Sequence, residues 1–244
     1  MNPVLLVVAH GSRDPRHAAT VHALVRRARS LRPGLRVETA FLDFNLPSVP
    51  GVLAALAAEG VREVVALPLL LTRAFHAKAD IPAVLRQAPA GLRIRQAEVL
   101  GPSPLLVSAV ERRLYEAGLG PADKSTTGVV LASAGSSDPE AIAVIAETAR
   151  ELRRTGWCSV RPAFASASLP RTEDAVRALR ADGVRRVAVA PYVIAPGRLP
   201  DRIAAGAADA DVLAGVLGPA PELARLLTAR YDEARTAAGL VAVG

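Results

Sequence analysis

The sequence predicts an α/β protein made of two tandemly duplicated lobes, each a small parallel sheet flanked by helices. Three observations carry this. Short continuous aliphatic runs alternate with stretches of helical periodicity, the pattern of strands covered on both faces and joined by crossover helices. The same series of motifs occurs twice along the chain. Apolar residues make up 51% of the 244 and aromatics only 3%, which suits an aliphatic core and excludes a disordered chain or a coiled coil.

The duplication is direct. VLLVVAHGSRDP at residues 4–15 aligns with GVVLASAGSSDP at 128–139, and AFLDFNLPS at 40–48 with AFASASLPR at 163–171. EGVREVVALPLL at 59–70 then aligns with DGVRRVAVAPYV at 182–193, and LGP at 100–102 with LGP at 217–219. The polar stretch GLGPADKSTT at 118–127 reads as a linker, so the expected lobes span 1–120 and 126–244.

In the first copy, residues 4–9 form an unbroken apolar strand. Asp14 followed by Pro15 is an N-cap with proline in the first turn, and Val21, Leu24, Val25 and Ala28 make one helical stripe after it. A second strand covers 37–42. Val49, Val52, Leu53 and Leu56 make the next stripe, closed by Gly60. A third strand is expected over 64–71, a short helix over 81–87, a fourth strand over 92–100 and a closing helix over 103–117. The second copy repeats the theme with strands at 129–132, 160–165 and 187–190 and a helix carrying Ile142, Ile145, Ala149 and Leu152.

Composition excludes several classes. One cysteine, Cys158, leaves no internal disulfide and no multi-cysteine metal site. The longest strongly apolar stretch, 64–71, is far shorter than the roughly 20 residues a membrane span needs. The start has no basic region and too short an apolar run for a signal peptide, so a cytoplasmic chain with no membrane partner is expected. The charge of +7 is carried mostly by scattered arginines without interleaved aromatics. That distribution argues against nucleic acid and for an anionic small molecule.

In an open α/β sheet, ligands bind beyond the carboxyl ends of the strands. His10, Gly11, Ser12 and Arg13 follow the first strand, and Asp43, Phe44 and Asn45 the second. Thr72, Arg73, His76, Lys78 and Asp80 follow the third. In the second copy His10 becomes Ala134, Asp43 becomes Ser166 and His76 becomes Leu199, while the surrounding glycines, prolines and caps persist. One active and one supporting lobe would look like this. Two imidazoles with a nearby carboxylate suit a borderline divalent metal such as Fe(II), Co(II), Ni(II) or Zn(II), and leave coordination positions open for a substrate. The same groups can accept protons near neutral pH. His17 and His22 read as packing or solvated residues, Asp14 as a cap that Asp138 repeats, and Cys158 as a thiol without a role. A histidine phosphatase is disfavoured because that chemistry uses Arg-His-Gly and residue 9 is alanine.

LLVVAHGSRDP, AFLDFNLPSVPGVLAAL and GVREVVALPLLLTRAFHAKADIPAVL together resemble the class II tetrapyrrole chelatases that act on sirohydrochlorin. The resemblance covers both halves in order and is strongest over residues 4–85. It implies a two-lobed lyase that inserts a divalent metal, Fe2+ or Co2+ as substrate, into sirohydrochlorin without ATP or an organic cofactor. It implies that His10 and His76 bind the metal and help remove the pyrrole protons, with Asp43 where the family more often has glutamate. The substrate carries eight carboxylates, for which Ser12, Arg13, Arg73 and Lys78 of the first lobe and Arg198 and Arg202 of the second are the candidate partners. The second lobe is then expected to cover the substrate cleft. Insertion of iron for siroheme is the first reading, since the His-rich tract and extra cysteines of some cobalt-associated relatives are missing. Cobalt insertion for cobalamin is the alternative, and a non-catalytic metal or tetrapyrrole carrier the third. A monomer is expected, with a dimer as the alternative.

Overall fold

The computed structural model describes residues 2–73 and 76–237, and of His76 the backbone alone. The first repeat gives β1 (Val4–Ala9), α1 (Pro15–Leu31), β2 (Val37–Phe41), α2 (Val49–Ala58), β3 (Glu63–Pro68), a π-helical turn (His76–Asp80), α3 (Ile81–Leu85), β4 (Arg93–Gln96) and α4 (Pro104–Glu116). A 3-10 turn (Pro121–Thr126) leads into β5 (Thr127–Ser133), α5 (Pro139–Arg154), β6 (Ser159–Phe164), α6 (Thr172–Ala181), β7 (Arg186–Tyr192), α7 (Arg198–Ala205), β8 (Val212–Leu213) and α8 (Pro221–Thr236).

The strands form two parallel four-stranded sheets with the same order, β2-β1-β3-β4 and β6-β5-β7-β8. All six residues of β1 and all seven of β5 are buried, which explains why these runs are apolar without alternation. On one face of the first sheet, Leu6, Val8, Val64 and Ala66 pack against Val49, Leu53 and Leu56 of α2 and Ile81 of α3. The second sheet repeats this with Val130, Ala132, Val187 and Val189 against Val176 and Leu179 of α6 and Ile203 of α7. Asp14 and Asp138 cap α1 and α5 through 2.9 Å bonds from the amides of Arg16 and Glu140. The third and fourth strands are shorter than expected, ending at Pro68 and Gln96. The ladder goes on for single bonds, from the amides of Leu69 to Val8 and Ala97 to Ala66, both 2.8 Å, before the chain leaves an edge whose Arg93 and Gln96 face water. Among the described residues no helix is long and apolar enough to cross a membrane.

The compact units do not coincide with the sequence repeats. One comprises residues 1–101 and 221–244, the other 102–220, so the division at the linker gives way to an exchange of closing helices. In the first unit α8 packs against α1 and β3. Its buried Tyr231 donates to the Pro3 carbonyl at 2.8 Å, and Arg230 donates to the carbonyls of Val99 and Leu100 at 2.9 and 3.1 Å. An Asp232–Arg32 ion pair at 2.8 Å ties it to the end of α1. In the second unit α4 packs on β7 and α5. There Glu111 accepts from the Trp157 indole at 3.2 Å, and Arg113 donates to the Leu217 carbonyl at 2.7 Å. An apolar stripe requires a covering partner but does not specify which of two similar sheets supplies it.

Tyr231 is 1% exposed, so Tyr231→Ala leaves a cavity and an unpaired carbonyl. The first unit should lose about 3–5 kcal/mol, read from the urea midpoint. A loss below about 1 kcal/mol would mean that α8 contributes little to this unit.

Candidate functional site

A 2-1-3-4 strand order sends the chain from β1 to one side and returns it at β3 on the other. The loops after β1 and β3 therefore diverge and leave a crevice at the carboxyl edge. His10 is the first residue beyond β1, and the π-helical turn that begins at His76 follows β3. Asp43 lies beyond β2, the other neighbour of β1. The strand pairing itself thus brings His10 and Asp43 to one edge of the sheet, with the His76 backbone on the loop after β3.

The β1 and β2 loops are fastened together. Asp43 donates its amide to the His10 carbonyl at 2.9 Å, and the Asn45 side-chain oxygen accepts from the Ser12 amide at 2.8 Å. Gly11 has φ +94°, and a Cβ there would lie 1.8 Å from the Asp43 carbonyl oxygen, so no other residue fits. One Asp43 carboxylate oxygen accepts from the Phe44 amide at 2.8 Å. Phe44 itself has φ +61°, in the left-handed region, and its ring centroid stands 6.3 Å from that of His10. The Arg13 guanidinium carbon lies 5.3 Å from the centre of the same ring. The sequence did not reveal Asn45 as a clamp or the left-handed backbone of Phe44. Glycine or asparagine signals a left-handed turn, whereas phenylalanine does not.

The second unit repeats the scaffold with other residues at the rim positions of His10 and Asp43. Gly135 has φ +93°, and a Cβ on it would lie 1.9 Å from the Ser166 carbonyl oxygen. Ala167, with φ +60°, takes the place of Phe44. Ala134 and Ser166 stand where His10 and Asp43 stand, and the Ser166 hydroxyl is bonded to the Ala134 carbonyl at 2.9 Å. The match to His76 depends on where counting begins. Pro68 and Pro191 pair with equivalent residues, Val8 and Ala132, whereas Ile81 and Ile203 are the isoleucines that the following helices bury. The first copy has 13 steps between these points and the second 12 (81 − 68 against 203 − 191). Counted from the strand, His76 matches Leu199; counted back from the isoleucine, it matches Arg198. The additional residue falls in the segment that carries the π-helical turn, a distortion that commonly absorbs single insertions near functional sites.

The remaining candidates divide into three groups. The Ser12 hydroxyl accepts from the Asp14 amide at 3.1 Å, and Ser136 does the same for Asp138 at 3.0 Å, so this contact belongs to the shared turn. Arg13, Arg73 and Lys78 are exposed on the first unit's rim. Arg198 and Arg202 are exposed one turn apart on α7 of the second unit, and neither unit by itself brings them to His10. The His76 side chain lies outside the described residues. Among the described residues no three His, Cys, Asp or Glu side chains cluster closely enough to hold a metal.

His22 meets Phe41 edge-on at 5.7 Å, a packing contact. His17, in the first turn of α1, has a buried Nδ1 without a hydrogen-bond partner. Burial, reinforced by the charge of His10 and opposed by Asp14, holds its imidazole below the ordinary value of 6.5. As pH falls through that value the unfolded chain binds the proton first, so folding stability declines towards the lower folded-state value. His17→Gln should therefore flatten the fall in urea midpoint between about pH 7 and pH 5. An unchanged slope would assign the acid sensitivity to other groups.

Comparisons with known proteins show what the chain as a whole is similar to. The family model described as CbiX matches residues 4–117 and 128–234. A sirohydrochlorin cobaltochelatase of Priestia megaterium is 27% identical over 244 residues, covering 94% of this chain and 79% of that protein. A sirohydrochlorin ferrochelatase of the same organism is 28% identical over 205 residues, covering 82% and 76%. The solved structure of SirB from Bacillus subtilis with Fe3+ superposes with a TM-score of 0.83 at 25% identity, covering 97% of this chain and 96% of that one.

Proposed function

The chain belongs to the CbiX family, and from that membership and the rim geometry we propose that it inserts a divalent metal ion into sirohydrochlorin. One observation carries the assignment to the first unit. Two copies of the same rim exist, and only the first places an imidazole and a carboxylate, those of His10 and Asp43, at the carboxyl edge.

In this reading His10 and His76 hold the incoming metal through neutral imidazole nitrogens and leave coordination positions open for the macrocycle. Insertion exchanges two pyrrole N–H protons for one divalent ion, so two protons must leave. The His10 and His76 imidazoles and the Asp43 carboxylate are the acceptors within the rim. Arg13, Arg73 and Lys78 pair with the peripheral carboxylates, whose charge they complement. No ATP and no organic cofactor takes part. Fe(II), for siroheme, is placed ahead of Co(II) because the chain has neither a His-rich tract nor a second cysteine. Relatives of nearly equal identity carry both names.

The test is anaerobic incubation of the purified chain with sirohydrochlorin and Fe(II) or Co(II), followed by absorbance against a control without protein. Accelerated insertion, with kcat/KM higher for Fe(II), is expected. Tetrapyrrole binding without acceleration would favour a carrier, and a higher kcat/KM for Co(II) would move the chain to cobalamin synthesis.

A further inference from the structure

Phe44 is the feature of the rim that neither folding nor the metal chemistry accounts for. Its backbone is left-handed, a conformation unfavourable for a residue other than glycine and asparagine. The residue is 50% exposed, so core packing does not compensate. The turn has no need of an aromatic residue. Ala167 takes the same φ in the second unit, and the same short bond crosses both turns, from Asn45 to Asp43 at 2.7 Å and from Ser168 to Ser166 at 2.6 Å. Within the first unit the ring's described aromatic and cationic neighbours are His10 at 6.3 Å and Arg13 at 5.3 Å, both on the rim.

We propose that Phe44 is a substrate-binding residue whose exposed ring carries the flat face of the tetrapyrrole beside His10. This rests on the chelatase reading above. A conjugated macrocycle offers an apolar π-face ringed by carboxylates. The loop offers the complement, an aromatic surface with a guanidinium held over it. A macrocycle stacked on this ring has its central nitrogens next to the imidazole rather than displaced along the rim. The second unit, with Ala167 at this position, has the turn but lacks the platform. Phe44 therefore sets where the substrate lies, and the histidines set where the metal lies.

The two contributions separate experimentally. Metal-free sirohydrochlorin and Co(II) are titrated independently into the full-length wild type, Phe44→Ala and Phe44→Trp, with circular dichroism to establish folding. Phe44→Ala should weaken sirohydrochlorin binding about tenfold and raise its KM alike, with Co(II) affinity held within about twofold. Phe44→Trp, which restores an aromatic face, should bind sirohydrochlorin within about threefold of wild type. Unchanged sirohydrochlorin affinity in Phe44→Ala would overturn the proposal. An equal loss of Co(II) affinity would also overturn it, because Phe44 would then be supporting the imidazole. A wild type that binds sirohydrochlorin without accelerating insertion would refute the chelatase reading alone, and the Phe44→Ala binding ratio would still decide the platform. A wild type that does not bind sirohydrochlorin refutes both.

Discussion

His10→Ala and His76→Ala are each expected to lower metal insertion by at least about a hundredfold, the scale on which a positioned proton acceptor acts. Each imidazole serves twice in the proposed mechanism, holding the metal and receiving a pyrrole proton, so removing either one interrupts both events. His10 is half-buried on a loop and belongs to neither described core cluster. Its loss should leave the melting temperature within a few degrees of wild type. The measurement is initial rate of insertion at saturating metal, beside a thermal melt. Turnover within about twofold of wild type in either variant would remove that histidine from the site.

The second large effect is a paired one. Gly11→Ala and Gly135→Ala each place a methyl group at positive φ less than 2 Å from a carbonyl oxygen of the neighbouring loop. Both loops must open, and both variants should lose on the order of 3 kcal/mol of stability, measured by urea denaturation. The functional outcomes should diverge. Gly11→Ala pushes the Asp43 loop away from His10 and should abolish insertion, whereas Gly135→Ala disturbs a rim without a titratable pair. At a temperature where both variants remain folded, Gly135→Ala should retain most of the wild-type rate. Equal loss of activity would show that the second rim takes a direct part.

The duplication made most of this architecture legible. Two alignable copies of strand, capped helix and strand are enough to predict two parallel sheets, and the rim residues follow from asking what succeeds each strand. The helix exchange could not be read this way. The stripe of Leu106, Val110 and Leu114 in α4 and that of Leu223, Leu227 and Tyr231 in α8 each fit the face of either similar sheet. Tertiary contacts such as Tyr231 to Pro3 settle the choice. The left-handed Phe44 was hidden because its turn is fastened to residues distant in sequence, Gly11 against Asp43 and Ser12 against Asn45, the latter pair 33 residues apart. The π-helical turn did leave a trace, one additional residue between Pro68 and Ile81 relative to Pro191 and Ile203. That trace becomes meaningful once strand register and the buried isoleucines fix both ends of the count.

The central claim is a single metal site per chain, on the rim of the first unit and built on His10 and His76. Calorimetric titration of Co(II) into the full-length protein without tetrapyrrole tests it most directly. Saturation at about one equivalent is expected, with binding lost in the His10→Ala, His76→Ala double variant and retained in Ala134→Ser, which alters the corresponding rim position of the second unit. Two equivalents in the wild type, or one equivalent surviving in the double variant, would contradict the account.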